Sequence, residues 1–328
     1  MMSEKVAVLL CGYGEVEHYD EFAEYNERSF RLLVSKSIKF PDFSIPWLSR
    51  RLERQQRKEW HAAKHYHSPH NEIFERQRAG IEQSLKETYG DDVAVFKAYN
   101  FVDPFLPEQV LAEVREQGYE RIVVYPWLVV DSVFTSGLAL QQINEALNPD
   151  GAWVKDIRYL PSFWERSDFQ ELLGKHIEEG IAPLLDRNVP SQVGVVLCLH
   201  GCPLETKGME TGVRESTALY YAMQGRLISR FPLISPGWMN HPVPGKWTTP
   251  DVDQAATNLI GLGARAIVFA PIGFVTENHE TQLDIGYTID RIRDQVETAH
   301  LATLNEDPAL LSMGAAWIHP LIDELRAG

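Results

Sequence analysis

The run Gly194-Val195-Val196-Leu197-Cys198-Leu199-His200-Gly201-Cys202-Pro203 decides the architecture. Its first six residues are small or apolar without alternation, the pattern of a strand buried on both faces in a parallel sheet. His200-Gly201-Cys202-Pro203 then stops the strand sharply, because proline supplies no ladder donor. Open α/β sheets gather their ligands beyond the carboxyl ends of such strands, which makes His200 the first candidate functional residue. A second apolar run, Ala266 to Pro271, leads into Thr276-Glu277-Asn278-His279-Glu280-Thr281. If the two strands share a sheet, His200 and Glu280 face one crevice. An imidazole beside carboxylates suits metal handling or proton transfer.

The chain says the same thing twice. Val6 to Cys11 followed by Gly12-Tyr13-Gly14 is echoed by Val195 to Leu199 followed by His200-Gly201. Gly118 to Pro126 is echoed by Gly263 to Pro271, and helical patterns at 108–117 and 251–262 precede these two strands. Helix, glycine turn and β-branched strand is the crossover unit of a parallel sheet. The expected fold is therefore α/β, two similar lobes with parallel sheets and a cleft at their junction. The expected domains are residues 1–182, a linker at 183–192 rich in turn formers, and residues 193–328. A C-terminal helix is expected to dock back on a lobe.

At 328 residues the chain exceeds the usual size of one core, in keeping with two lobes. A formal charge of −15 excludes a nucleic-acid surface, which needs a basic stripe. The exception is local: Arg50-Arg51-Leu52-Glu53-Arg54-Gln55-Gln56-Arg57-Lys58 reads as a short basic helix. It is either a solvated face or a contact for an anionic substrate or membrane surface. Beside it, residues 39–47 carry three aromatics and two prolines, read as a packed connection or a lip over an apolar ligand. Three cysteines make no disulfide framework and no structural zinc cluster. No apolar stretch approaches the ~20 residues needed to span a bilayer, and no secretory pattern opens the chain. The expectation is a cytoplasmic protein, at most peripheral to a membrane.

Several segments, taken in order, resemble the ferrochelatases, class II chelatases that insert ferrous iron into a porphyrin. Cys11-Gly12-Tyr13-Gly14 resembles the first strand and loop of bacterial members, and His67-Ser68-Pro69 stands where the family has a Gly-Gly-x-Ser-Pro turn. His200-Gly201-Cys202-Pro203 resembles the family's His-Ser-Leu-Pro. Gly237-Trp238-Met239-Asn240 with Trp247-Thr248-Thr249-Pro250-Asp251-Val252 resembles Gly-Trp-Gln-Ser with Trp-Leu-x-Pro-Asp-Val. Pro271 to Val275 and Glu280 look like the strand and loop bearing the essential carboxylate. One departure falls at the centre: the family's Asp-His-x-Glu reads Glu277-Asn278-His279-Glu280 here, so Asn278 takes the usual histidine position.

The resemblance implies Rossmann-like, chelatase-type lobes and a heme-biosynthetic lyase acting on protoporphyrin IX or coproporphyrin III. Fe²⁺ is then the substrate metal, and no organic cofactor is expected. His200 and Glu280 are the expected catalytic pair, and the metal is expected among His200, Glu280, Glu277 and Tyr13. Tyr13, Arg31, Ser68, Trp238, Asn240 and Trp247 are the expected porphyrin contacts. His61, His65, His67 and His70 form either an exposed polar segment or a weak metal-delivery site. The altered loop at Asn278 also allows a chelatase for another metal or tetrapyrrole, or a tetrapyrrole-binding or sensing protein without turnover.

Overall fold

Val6–Gly12 (β1) is buried at every position, as a strand flanked by a neighbour on each edge and helices on each face must be. In the computed structural model, which describes residues 5–17, 22–34, 41–62, 66–148, 151–206, 208–241 and 245–327, β1 lies between two parallel partners. Among the described residues, the helices Phe22–Ser29 (α1), Ile45–Ala62 (α2) and His70–Tyr89 (α3) follow it. Then come Val93–Tyr99 (β2), Pro107–Glu116 (α4), Arg121–Pro126 (β3), Ser136–Leu147 (α5) and Asp156–Tyr159 (β4). These strands form one parallel sheet in the order β2-β1-β3-β4.

The second sheet repeats that plan. Ser167–Ile181 (α6) leads to Val193–His200 (β5), Val213–Leu227 (α7), Leu233–Met239 (β6), Val252–Gly261 (α8), Ala266–Pro271 (β7), Ile285–Ile292 (α9) and Glu297–His300 (β8). The order is β6-β5-β7-β8, again all parallel and again with the earliest strand inside. Both four-stranded sheets are thus α/β units of one topology. The start of α8 is set by a reciprocal cap: Asp251 Oδ1 accepts from the Gln254 amide at 2.8 Å, and Gln254 Oε1 accepts from the Asp251 amide at 3.1 Å.

The chain divides into two compact units, residues 1–162 with 306–328, and residues 163–305. Residues 183–192, expected to link the lobes, lie inside the second unit. Pro183 and Pro190 do end regular helix there, but the backbone continues as 3₁₀ turns at Ala182–Asp186 and Pro190–Gln192. Phe169, Leu173, Ile177 and Ile181 of α6 are buried, so the helix before those turns already belongs to the second core. The C-terminal helix Pro308–Ala327 (α10) is a part of the first unit, where it packs on α3.

Two glycines allow that packing. A Cβ on Gly80 would lie 2.6 Å from Leu311, and one on Gly314 would lie 2.8 Å from the indole of Trp127. Trp127 is 1% exposed, and its Nε1 donates to Gln77 Oε1 at 3.0 Å, so the ring has no room to turn away. Gly314→Val is expected to destabilise the first unit by about 1–3 kcal/mol, read as a lower urea midpoint. An unchanged midpoint would show that α10 does not sit against Trp127.

Candidate metal centre

In the second unit β5 is the inner strand between β6 and β7, and in a parallel sheet all three carboxyl ends emerge at one edge. Each end delivers one side chain. β5 ends at His200. Its register partner in β6 is Met239, two residues before His241. β7 ends at Pro271, and the loop beyond it runs to Glu280. His200 Nε2 and His241 Nε2 stand 3.1 Å apart, and Glu280 Oε1 lies 3.6 Å from the first and 3.3 Å from the second. Among the described residues, these form a cluster of three metal-ligand atoms. Donors held about 2.1 Å from one ion stand about 3.0 Å apart at an octahedral edge and about 3.4 Å apart in a tetrahedron. The triangle has the size of a metal's coordination face.

Close backbone contact keeps the histidines together. Gly201 donates to Met239 O at 2.8 Å, and a Cβ on Gly201 would lie 2.5 Å from that oxygen and 2.7 Å from Asn240 Cα. Asn240 Nδ2 donates to Thr248 O at 2.9 Å, and Thr248 Oγ1 accepts from the Cys202 amide at 3.1 Å. An antiparallel bridge joins Pro203 to Trp247, and the indole of Trp247 meets the His241 ring edge-on at 5.8 Å. The loop after β6 is thereby tied to the loop after β5.

Glu280 opens a π-helical turn, Glu280–Asp284, a geometry frequent at functional sites. Asn278 explains how the turn starts. Its Oδ1 accepts from the Thr281 amide at 2.9 Å, and its own amide donates to Thr281 Oγ1 at 3.0 Å. Glu277 anchors the same turn from below: Oε1 accepts from the Thr303 amide at 2.7 Å and Oε2 from Thr281 Oγ1 at 3.1 Å. Its carboxylate is engaged there rather than in the triangle.

Burial pushes the His200 imidazole down to about 4, against a Gly201 backbone bond that opposes the drop and with His279 adding to it. Burial likewise pushes His241 to about 4; Glu280 resists, while His200 and His279 reinforce the fall. An edge of each ring stays open all the same, with 38% and 39% of the side chains exposed. Near neutral pH both rings are therefore uncharged and reachable, the state in which imidazole binds a metal or accepts a proton.

The other expected site residues are placed as follows. Trp238 is 5% exposed and donates its amide to Pro250 O, a core position rather than an open wall. Asn240 and Trp247 hold the His241 loop, as described. In the first unit Tyr13 donates its hydroxyl to Phe134 O at 2.6 Å and packs on Phe101. Arg31 pairs with Glu27 within one helical turn. Ser68 is 1% exposed and donates to Glu15 Oε2, so its hydroxyl is spent inside the fold. His67 faces Glu17, and His70 is buried at the start of α3. His65 and the His61 side chain lie outside the described residues, as do Lys39 and Phe40 of the aromatic stretch. His241 was missed by sequence reasoning; its one local signal is the position just beyond Gly237-Trp238-Met239-Asn240.

The family model described as Ferrochelatase matches residues 5–320. The chain belongs to the ferrochelatase family. Similar relatives include the ferrochelatase of Synechococcus elongatus, 26% identical over 93% of this chain and 78% of that one. The ferrochelatase of Geotalea uraniireducens is 23% identical over 98% of this chain and 99% of its own. Among solved structures, SirB from Bacillus subtilis with Fe³⁺ aligns with a TM-score of 0.54 at 11% identity, covering 98% of this chain and 97% of that one. The sirohydrochlorin chelatase SirB from Bacillus subtilis subspecies spizizenii in complex with cobalt aligns at 0.52 and 9%, over 96% and 94%. These likenesses bear on the fold. Family membership carries the reaction class, tetrapyrrole metal chelation by a metal-inserting lyase.

Two outcomes follow for the metal-free protein. The His200 and His241 ring protons are expected to stay unshifted in NMR titrations until the pH nears about 4, and midpoints near 6.5 would contradict the site as described. Between those values the unfolded chain binds more protons than the folded one, so stability rises with pH across that window. Separately, Gly201→Ala is expected to push the ends of β5 and β6 apart and weaken Co²⁺ binding at least about tenfold, followed by the metal's visible absorption.

Proposed function

We propose that the protein inserts Fe²⁺ into a porphyrin, protoporphyrin IX or coproporphyrin III, and that His200, His241 and Glu280 hold the metal before transfer. The observation that carries this is the triangle of donors from three adjacent strand ends, at 3.1, 3.3 and 3.6 Å. Two neutral imidazoles and one carboxylate form a borderline donor set suited to a divalent first-row metal.

The chemistry balances at these atoms. A divalent ion entering the macrocycle replaces two pyrrole N–H protons. As the ion leaves the protein, the two Nε2 lone pairs that held it become free, as many acceptors as protons to be removed. His200 is the proposed first acceptor, with His241 the second and Glu280 steadying the charge. The depressed basicity of both rings keeps them from retaining the protons. Once these protons pass to solvent, both rings are again neutral and ready for the next ion.

The same donors accept Co²⁺, Ni²⁺ or Zn²⁺, because affinity follows the metal as well as the ligands. That observation favours, as a second reading, a chelatase for another metal. Anaerobic metallation of protoporphyrin and coproporphyrin with Fe²⁺, Co²⁺, Ni²⁺ and Zn²⁺, followed by the Soret shift, separates the two. His200→Ala is expected to lower turnover by about a hundredfold or more while tetrapyrrole binding persists, and full activity in that variant would sink the proposal. His241→Ala is expected to raise the metal concentration needed for half-maximal rate with little change for the macrocycle. Tight spectral binding without turnover by any metal would make the protein a tetrapyrrole carrier or sensor.

A further inference from the structure

The Glu280 carboxylate stays within reach of the two imidazoles only if the turn that Asn278 starts is held still. Part of that hold comes from a distant stretch of chain. After β8 the backbone passes the end of β7, where Leu301 donates its amide to Phe269 O at 2.9 Å, and Leu301 and Leu304 are buried. It arrives at Asn305. That residue donates its amide to Val275 O at 2.9 Å, while its Oδ1 accepts from the Glu277 amide at 2.9 Å and from Thr303 Oγ1 at 2.9 Å. Thr303 in turn donates its amide to Glu277 Oε1, and Glu277 Oε2 accepts from the hydroxyl of Thr281, the neighbour of Glu280. One side-chain oxygen therefore fixes both the backbone of Glu277 and the threonine that grips its carboxylate.

The backbone at Asn305 argues that its side chain has a role. Among the described residues it is the one non-glycine residue with a positive φ, 46°. Glycine takes that conformation without steric cost, whereas of the residues with a Cβ asparagine and aspartate enter it most readily. Conformation alone thus asks for glycine. The two donors asking for an acceptor explain asparagine, and a residue held in a sparsely populated backbone region is a pointer to function. Thr303, Glu277 and Thr281 are all buried, so little water competes for these bonds, and loss of the acceptor leaves buried donors unsatisfied.

We propose that Asn305 is a positioning residue for metal binding: acting through Glu277 and Thr281, it aims the Glu280 carboxylate at His200 and His241. The inference rests on the reading of those three groups as the metal's donors, and Asn305 is not itself one of them. A residue that only stitched two segments together would govern stability and leave the affinity for metal alone.

Co²⁺ titration of the full chain, followed by the metal's visible absorption, tests it. Asn305→Gly keeps the positive φ and removes the acceptor, and is expected to weaken Co²⁺ binding at least about tenfold. Asn305→Asp keeps both the backbone conformation and an acceptor oxygen, and should restore most of the affinity. In anaerobic metallation the glycine variant should need more metal for half-maximal rate, with the porphyrin requirement unchanged. Glu280→Ala supplies the reference. In that background Asn305→Gly is expected to add little, because the group it aims is already gone. Thr281→Val cuts the same chain one link nearer to Glu280; it should give a similar loss, and it carries the test if the glycine variant does not fold. Three results would overturn the proposal while leaving the triangle intact: Co²⁺ affinity unchanged in the variant that carries the test, no gain from aspartate over glycine, or losses that add in full to that of Glu280→Ala. Affinity unchanged in Glu280→Ala itself would instead remove the reading of the triangle, and the proposal with it.

Discussion

The ladder that holds β5 between β6 and β7 is the constraint on which the candidate centre depends. Parallel pairing brings all three carboxyl ends to one edge, and register then decides which residue stands beside which. Met239 opposite His200 puts His241 within reach; a slip of one residue would turn alternate side chains to the other face of the sheet. The loop after β7 is drawn in the same way, with Ile272 donating its amide to Cys198 O at 3.0 Å across the end of β5. The geometry of the triangle is therefore a property of the sheet as much as of the loops.

Electrostatics follow from that placement. Crowding two imidazoles into the protein wall beside a third, His279, disfavours the charged form of each. The Glu280 carboxylate opposes this in part at His241. The two imidazoles are thus kept unprotonated near neutral pH, which leaves their Nε2 lone pairs free for a metal. Glu277 and Asn278 contribute by building the turn that aims Glu280, with Thr281 linking the two.

Much of this was legible in the sequence, for physical reasons that differ by element. β5 and β7 declared themselves through unbroken apolar runs, and α8 through the helical pattern at 251–262. The twofold repeat was visible because each sheet uses the same helix, glycine turn and strand. β6 was harder to see. Its Ser235-Pro236-Gly237 core reads as a loop, and proline is tolerated there because β6 is an edge strand. With β6 hidden, His241 had no strand end to stand on, and Trp238 looked like a loop aromatic rather than a buried one. The place where the units part was likewise obscured, since the prolines near 183–192 mark turns within a core and not a break between cores. Ser68 belonged to a recognisable turn, but nothing local to it announced Glu15 as its partner.

Because each donor is supplied by a different strand end, the loops can trade duties without disturbing the sheet. Asn278 caps the turn that leads to Glu280, and the second imidazole of the triangle comes from the neighbouring loop. A protein built this way can vary its appetite for metals through changes confined to loops. The spacing between donors then rests on the sheet register and on the close contact at Gly201 that keeps the two strand ends together.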